Sequence, residues 1–129
     1  MRSQSLNSKI IGGIMDQAAT QQPTSEITAT ELKQRLDKGE DIQIIDVREA
    51  NEVAIGAIPN SVHIPLAQVV NRMSEIDPNR ETVVHCKMGG RATRAIEALK
   101  RSGFTGNLTN LKGGIIAWSN EVDPSVPKY

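Results

Sequence analysis

Val83-Val84-His85-Cys86-Lys87-Met88-Gly89-Gly90-Arg91-Ala92 is the stretch from which this chain can be read. A β-branched apolar run leads into a cysteine, as in a buried strand. A Gly-Gly turn flanked by Lys87 and Arg91 follows. Ala92, Ala95, Ile96 and Leu99 then recur at helical spacing. The pattern is a strand, a tight loop and a helix N-terminus, with a thiol at the turn. Such a loop turns backbone N–H groups inward and adds the positive end of a helix dipole. Both effects favour thiolate over thiol. Cys86 is the single cysteine of the chain, and this setting makes it a candidate nucleophile.

Working outward, Thr28-Ala29-Thr30-Glu31 has the form of a capping box, followed by Leu32 and Leu36 one turn apart and a terminating Gly39. Ile42 to Asp46 reads as a buried strand that ends where charge returns at Asp46-Val47-Arg48-Glu49. Ala50 to Ala54 predicts a helical turn, and residues 56–61 are turn-rich. Val62-His63-Ile64 is a short strand. Leu66 to Met73 predicts a helix with Leu66, Val69, Val70 and Met73 on one face. Thr82 to Cys86 is a strand and Ala92 to Ser102 a helix. A further strand spans residues 107–110, and Leu111-Lys112-Gly113-Gly114 opens a last helix carrying Ile115, Ile116 and Trp118. Strands alternating with helices imply right-handed crossovers and an α/β fold with a mostly parallel sheet. Ligands in such sheets bind beyond the carboxyl ends of strands, where Asp46 and Cys86 both fall.

The 129 residues are enough for one domain with a real core. Residues 1–25, rich in Ser, Gln, Asn, Thr and Ala, read as a flexible N-terminal arm, and residues 26–129 as the domain. Formal net charge is zero, so no global basic field argues for nucleic acid or an anionic membrane. Trp, Tyr and Phe occur once each, which leaves no aromatic platform for single-stranded nucleic acid. No apolar run approaches the length of a membrane span. One cysteine excludes an internal disulfide and suits a reducing, cytoplasmic setting. With two histidines beside it, no cysteine-rich zinc site is expected, and no metal or other cofactor.

Four motifs in order now carry a resemblance. Asp46-Val47-Arg48-Glu49, Gly56-Ala57-Ile58-Pro59, Cys86-Lys87-Met88-Gly89-Gly90-Arg91 and Leu111-Lys112-Gly113-Gly114-Ile115-Ile116-Ala117-Trp118 resemble a single rhodanese domain over roughly residues 25–129. The loop and the Glu121 to Tyr129 ending most resemble the C-terminal domain of bacterial adenylyltransferase/sulfurtransferases of the MoeZ type. No Gly-x-Gly-x-x-Gly segment stands in the sequence, so the adenylyltransferase half is not expected in this chain. The resemblance implies a three-layer fold with helices on both faces of the sheet. It also implies a sulfurtransferase in which Cys86 carries sulfane sulfur as a persulfide. Small sulfur donors and acceptors such as thiosulfate, a cysteine desulfurase, a sulfur-carrier protein or an adenylyltransferase are the implied partners, in sulfur-carrier or cofactor biosynthesis.

Within that reading, Lys87, Met88, Gly89, Gly90 and Arg91 form the substrate loop. Gly89 and Gly90 supply the backbone freedom an inward-facing nest requires, and Lys87 and Arg91 supply positive charge for an anionic donor. Arg94 reads as ordinary helix surface. Asp46 and Arg48 are implied as pocket support, with Asp46 placed to face Arg91, and no acid–base role is expected of them. Adjacent strand residues point to opposite faces, so His85 is expected to face away from the thiol. His63 reads as strand packing, and Gly113, Gly114 and Trp118 as fold-determining. Phosphatases of this fold carry a loop one residue longer, to wrap a tetrahedral anion, so oxyanion chemistry is not expected. The remaining alternatives are a non-catalytic rhodanese interaction module and a redox-sensing thiol.

Overall fold

The computed structural model describes residues 24–129. The arm expected over residues 1–25 lies, apart from its last two residues, outside the described residues. Five strands form one sheet: β1 (Glu26–Ile27), β2 (Ile42–Asp46), β3 (Val62–His63), β4 (Glu81–His85) and β5 (Leu108–Leu111). Their spatial order is β1-β5-β4-β2-β3, and every neighbouring pair is parallel. The α/β expectation holds, and among the described strands the sheet is wholly parallel. Among the described residues four α-helices accompany the sheet: α1 (Ala29–Asp37), α2 (Ala50–Ile55), α3 (Gly90–Arg101) and α4 (Gly114–Glu121).

Helix α1 starts where the capping box requires. The Glu31 N–H donates to Thr28 Oγ1 at 3.0 Å, and the Thr28 N–H donates to Glu31 Oε1 at 2.9 Å. Strand β2 is buried along its whole length, as expected of a parallel strand covered on both faces. Its period-two alternation sorts two cores. Ile45 and Val47 join Val84, Cys86, Ala92, Ile96 and Leu99 on the α3 side. Ile44 joins Val83, Leu32, Leu111, Ile115 and Trp118 on the side of α1 and α4. The result is three layers, with β4 between β5 and β2 at the centre of the sheet.

One predicted element is different. Residues 66–73 do not form an α-helix. They make two short 3-10 turns, Leu66–Gln68 and Met73–Glu75. Their bonds run mainly to the third residue back, as in Val69 N to Leu66 O at 3.3 Å and Ile76 N to Met73 O at 3.0 Å. The segment is short, opens on Pro65 and carries adjacent β-branched valines, so helix propagation has little to favour it. Val69 is buried, whereas Val70 is exposed rather than on the core face.

Candidate functional site

Strand β4 ends at His85, and Cys86 is the first residue beyond it, with a relative exposure of 1%. The chain then turns through Lys87, Met88 and Gly89 into α3. Gly89 has φ of +126°, a conformation that a residue with a Cβ rarely adopts. That turn aims the Gly89 N–H at the thiol, 3.1 Å from Cys86 Sγ. The first turn of α3 follows directly, with its positive dipole end toward the loop. Met88 is 69% exposed at the loop tip. The predicted strand–Cys–Gly-Gly–helix arrangement is therefore present, with a backbone donor on the sulfur.

Two neighbouring elements hold the loop. The α4 N-terminus lies beneath it, where the Ile115 N–H donates to Cys86 O at 3.0 Å and the Ile116 N–H to Lys87 O at 3.3 Å. Gly114 makes this approach possible. A Cβ there would fall 2.6 Å from Cys86 O and closer still to Lys87 O, and its φ is +60°. The second support comes from β5. Asn110 Nδ2 donates to Gly89 O at 3.1 Å and to Thr93 Oγ1 at 2.9 Å. Neither Asn110 nor Thr93 is singled out by the sequence. A polar residue inside the otherwise apolar end of β5, next to Leu111, is the one signal that could have pointed to Asn110.

Asp46 and Arg48 sit at the end of β2, next to the end of β4, and both side chains are completely buried. The guanidinium is fully committed. Its Nε and Nη2 donate to Asp46, with Nη2 to Oδ2 at 2.7 Å. Nη2 also reaches Gly56 O at 2.8 Å, and Nη1 reaches Glu52 O and the main-chain oxygen of Tyr129. Every one of its donors has a protein acceptor. The pair ties together the end of β2, the end of α2 and the last residues of the chain. Burial opposes charge on Asp46, but the Arg48 hydrogen bonds and the nearby His85 outweigh it and hold its pKa below the usual value.

His85 is buried on the Asp46 side. Its Nε2 lies 3.5 Å from Asp46 Oδ2 without forming a hydrogen bond, and its Nδ1 lies 3.2 Å from Cys86 O. A proton on Nδ1 satisfies that carbonyl. Burial pushes the imidazole pKa down, against the attraction of Asp46, which keeps the ring neutral at neutral pH. No hydrogen bond joins His85 to Sγ among the described residues, in keeping with strand alternation. His63 does more than pack, since its Nε2 lies 2.7 Å from Arg48 O.

The expectation that Asp46 faces Arg91 is corrected. Arg91 points to α2 and forms a two-pronged pair with Glu52, at 2.6 Å and 2.9 Å. Glu52 also accepts the Glu49 N–H at 2.8 Å. The Arg91 guanidinium holds the Glu52 pKa down to about 2, with help from that N–H and against the cost of burial. Asp46 is already saturated by its own neighbour two residues away, so Arg91 takes the carboxylate that α2 brings within reach. Lys87 forms no ion pair among the described residues, and its Nζ lies 5.7 Å from the centre of the Tyr129 ring. Arg94 is exposed, as expected. Among the described residues no group of three His, Cys, Asp or Glu side chains converges as a metal site, and no helix is long and apolar enough to cross a membrane.

Comparison with known proteins places this geometry. The Rhodanese-like domain family matches residues 28–121. A sulfurtransferase of Allochromatium vinosum is 39% identical over 102 residues, covering 79% of this chain and 94% of that protein. The probable adenylyltransferase/sulfurtransferase MoeZ of Mycobacterium tuberculosis is 33% identical over 120 residues, covering 92% of this chain and 30% of that protein. A solved rhodanese-like domain protein of Staphylococcus aureus matches with a TM-score of 0.69 and 32% identity, over 77% of this chain and 95% of that one. The names of these relatives support sulfur transfer as the broad class of activity. With the family match spanning most of the domain and a sulfurtransferase relative 39% identical over 94% of its own length, the chain belongs to the rhodanese-like family.

Proposed function

We propose that this protein is a sulfurtransferase in which Cys86 is the persulfide carrier. The Cys86 thiolate attacks the outer sulfur of a donor such as thiosulfate. A new S–S bond forms to Sγ, the donor's S–S bond breaks, and sulfite leaves with the electron pair. An acceptor nucleophile, for example cyanide or a thiolate, then takes the terminal sulfur and returns Cys86 as thiolate. This is two-step covalent catalysis. The observation that carries it is the Gly89 N–H on Cys86 Sγ at 3.1 Å, at the mouth of α3. Negative charge rests on sulfur in both the free and the loaded state, and preorganised backbone donors stabilise such charge.

In this reading Lys87 to Arg91 form the substrate loop, and Asp46 and Arg48 support the pocket without touching substrate. Lys87 is the cation left for an anionic donor, because Arg91 is taken by Glu52. Residues 26–129 act as the sulfur-transferring unit. A cysteine desulfurase as donor and a sulfur-carrier protein as acceptor, in a reducing cytoplasm, extend the proposal to its physiological setting. Incubation with thiosulfate, intact-mass measurement and then cyanide tests the core claim. The expected result is one added sulfur atom, its loss with formation of thiocyanate, and neither event in Cys86→Ala. No adduct in the unmodified protein, or equal turnover in Cys86→Ala, overturns it. Added oxygen without sulfur transfer would favour a redox-sensing thiol instead.

A further inference from the structure

We propose that Asn110 is a positioning residue for Cys86, acting through the backbone of Gly89. The inference rests on the reading of Cys86 as the reactive group. Gly89 carries the N–H that meets the sulfur, and its own carbonyl is gripped by three donors: Thr93 N at 3.0 Å, Thr93 Oγ1 at 3.0 Å and Asn110 Nδ2 at 3.1 Å. The Thr93 N–H is an ordinary first-turn helix bond. The two side-chain donors are additional, and Asn110 links them, since Nδ2 also reaches Thr93 Oγ1 at 2.9 Å. A glycine with φ of +126° has more rotational freedom than any other residue type. Pinning its carbonyl on one side of Cα restricts the direction of the N–H on the other.

The position of Asn110 explains why it can do this. Its partner in the β4–β5 register is Val84, two residues before Cys86, so it lies on the α3 side of the sheet under the first turn of that helix. The clamp has a cost. Asn110 is 3% exposed and its Oδ1 has no hydrogen-bond partner. Exchanging the amide oxygen and nitrogen would set Oδ1 against the Gly89 carbonyl and lose that bond, so the orientation is fixed by the carbonyl. A buried amide with one unsatisfied acceptor is an unfavourable choice for packing alone. It makes sense where the donor does a task that an apolar residue could not.

The test compares Asn110→Ala, the near-isosteric Asn110→Asp and Thr93→Val with Ile42→Val, which trims the far end of the second core. Cys86 alkylation by iodoacetamide is followed across pH on folded protein, alongside thermal midpoints and the kcat and KM of thiosulfate:cyanide transfer. Alkylation at neutral pH should slow about five- to tenfold in Asn110→Ala, as expected for loss of a hydrogen bond that orders the loop. Asn110→Asp, which sets a carboxylate against the Gly89 carbonyl, should slow it further, and Thr93→Val less. The transfer loss should fall on kcat, with KM little changed. Ile42→Val should lower the thermal midpoint and leave the alkylation profile unmoved. An unchanged alkylation profile in both Asn110 variants overturns the inference. Alkylation does not require sulfur transfer, so it tests Asn110 even if the unmodified protein forms no persulfide, an outcome that would defeat the functional proposal separately.

Discussion

Two strand ends lie side by side in this molecule and are built in opposite ways. At the end of β2, Asp46 and Arg48 are completely buried, and the guanidinium spends all its donors on protein acceptors. At the end of β4, the residue of interest is a single thiol whose partner is a backbone N–H. Charge at the first site is cancelled within two residues of sequence, and what remains is a rigid tie between elements. Polarity at the second comes from peptide groups whose directions are set by Gly89, α3 and α4. Permanent side-chain charges thus serve the frame, while the Cys86 sulfur takes its hydrogen bond from a peptide N–H, which needs no desolvated counter-ion.

The largest effect that could break this contrast is on stability. Removing one member of a buried ion pair leaves an uncompensated charge, so Arg48→Met should cost about 3–5 kcal/mol in urea unfolding. A double change with Asp46→Asn should recover part of that. Cys86→Ala should cost about 1–2 kcal/mol and abolish transfer. An Arg48→Met protein of unchanged stability but without transfer activity would erase the distinction between frame and site.

Gly114→Ala should come next. It places a Cβ against Cys86 O and Lys87 O at a φ of +60°, and should cost about 2–3 kcal/mol. Because α4 then moves off the loop carbonyls, Cys86 alkylation should slow as well. A variant that unfolds earlier yet alkylates at the original rate would show that α4 supports the fold and not the loop.

His85 sharpens the comparison through pH. Its folded-state pKa lies below the ordinary value of 6.5, so the unfolded chain binds a proton that the native ring resists. Its contribution is present above about pH 6.5 and is lost as pH falls below it. Unfolding free energy should therefore decline over that range, and His85→Asn should flatten the decline. A decline that survives the substitution would assign the acid sensitivity elsewhere.

The smallest effect belongs to Glu52. Its folded pKa of about 2 lies under the ordinary 4.5, so its stabilisation is present above 4.5 and is lost as pH falls toward 2. Glu52→Gln should remove that acid limb and cost about 1 kcal/mol or less at neutral pH, the pair being partly exposed. It should also free Arg91. Cys86 should then react about two- to threefold faster with anionic iodoacetate relative to neutral iodoacetamide, an effect that salt should diminish. An unchanged ratio would mean that the Arg91 charge does not reach the thiol.

Much of the fold was legible because it is written locally. The capping box at Thr28 and Glu31, the apolar run of β2 and the helical spacing of Ala92, Ala95, Ile96 and Leu99 all appear where their patterns put them. Residues 66–73 misled because four apolar residues at helical spacing describe a face, not the hydrogen bonds that make a helix, and Pro65 with two valines favours looser turns. The strand–loop–helix turn around Cys86 and Gly89 was legible for the same local reason. The partner of Arg91 was not. It depended on where α2 placed Glu52, while Asp46 was already taken by Arg48.

The sequence by itself determined the alternation of strands and helices, the thiol at a strand–loop–helix junction and the glycine, Gly89, that lets the loop turn inward; Gly90 is an ordinary first residue of α3 with open space at its Cα. These follow from periodicity and backbone freedom, which act over a few residues. The tertiary structure alone decided that Arg91 pairs with Glu52, that Arg48 anchors Gly56 and Tyr129, and that Asn110 reaches Gly89 from the neighbouring strand. All but the Arg48–Gly56 bond join residues more than twenty positions apart in the chain. Geometry and competition among buried donors and acceptors select such pairs, and no local pattern encodes them.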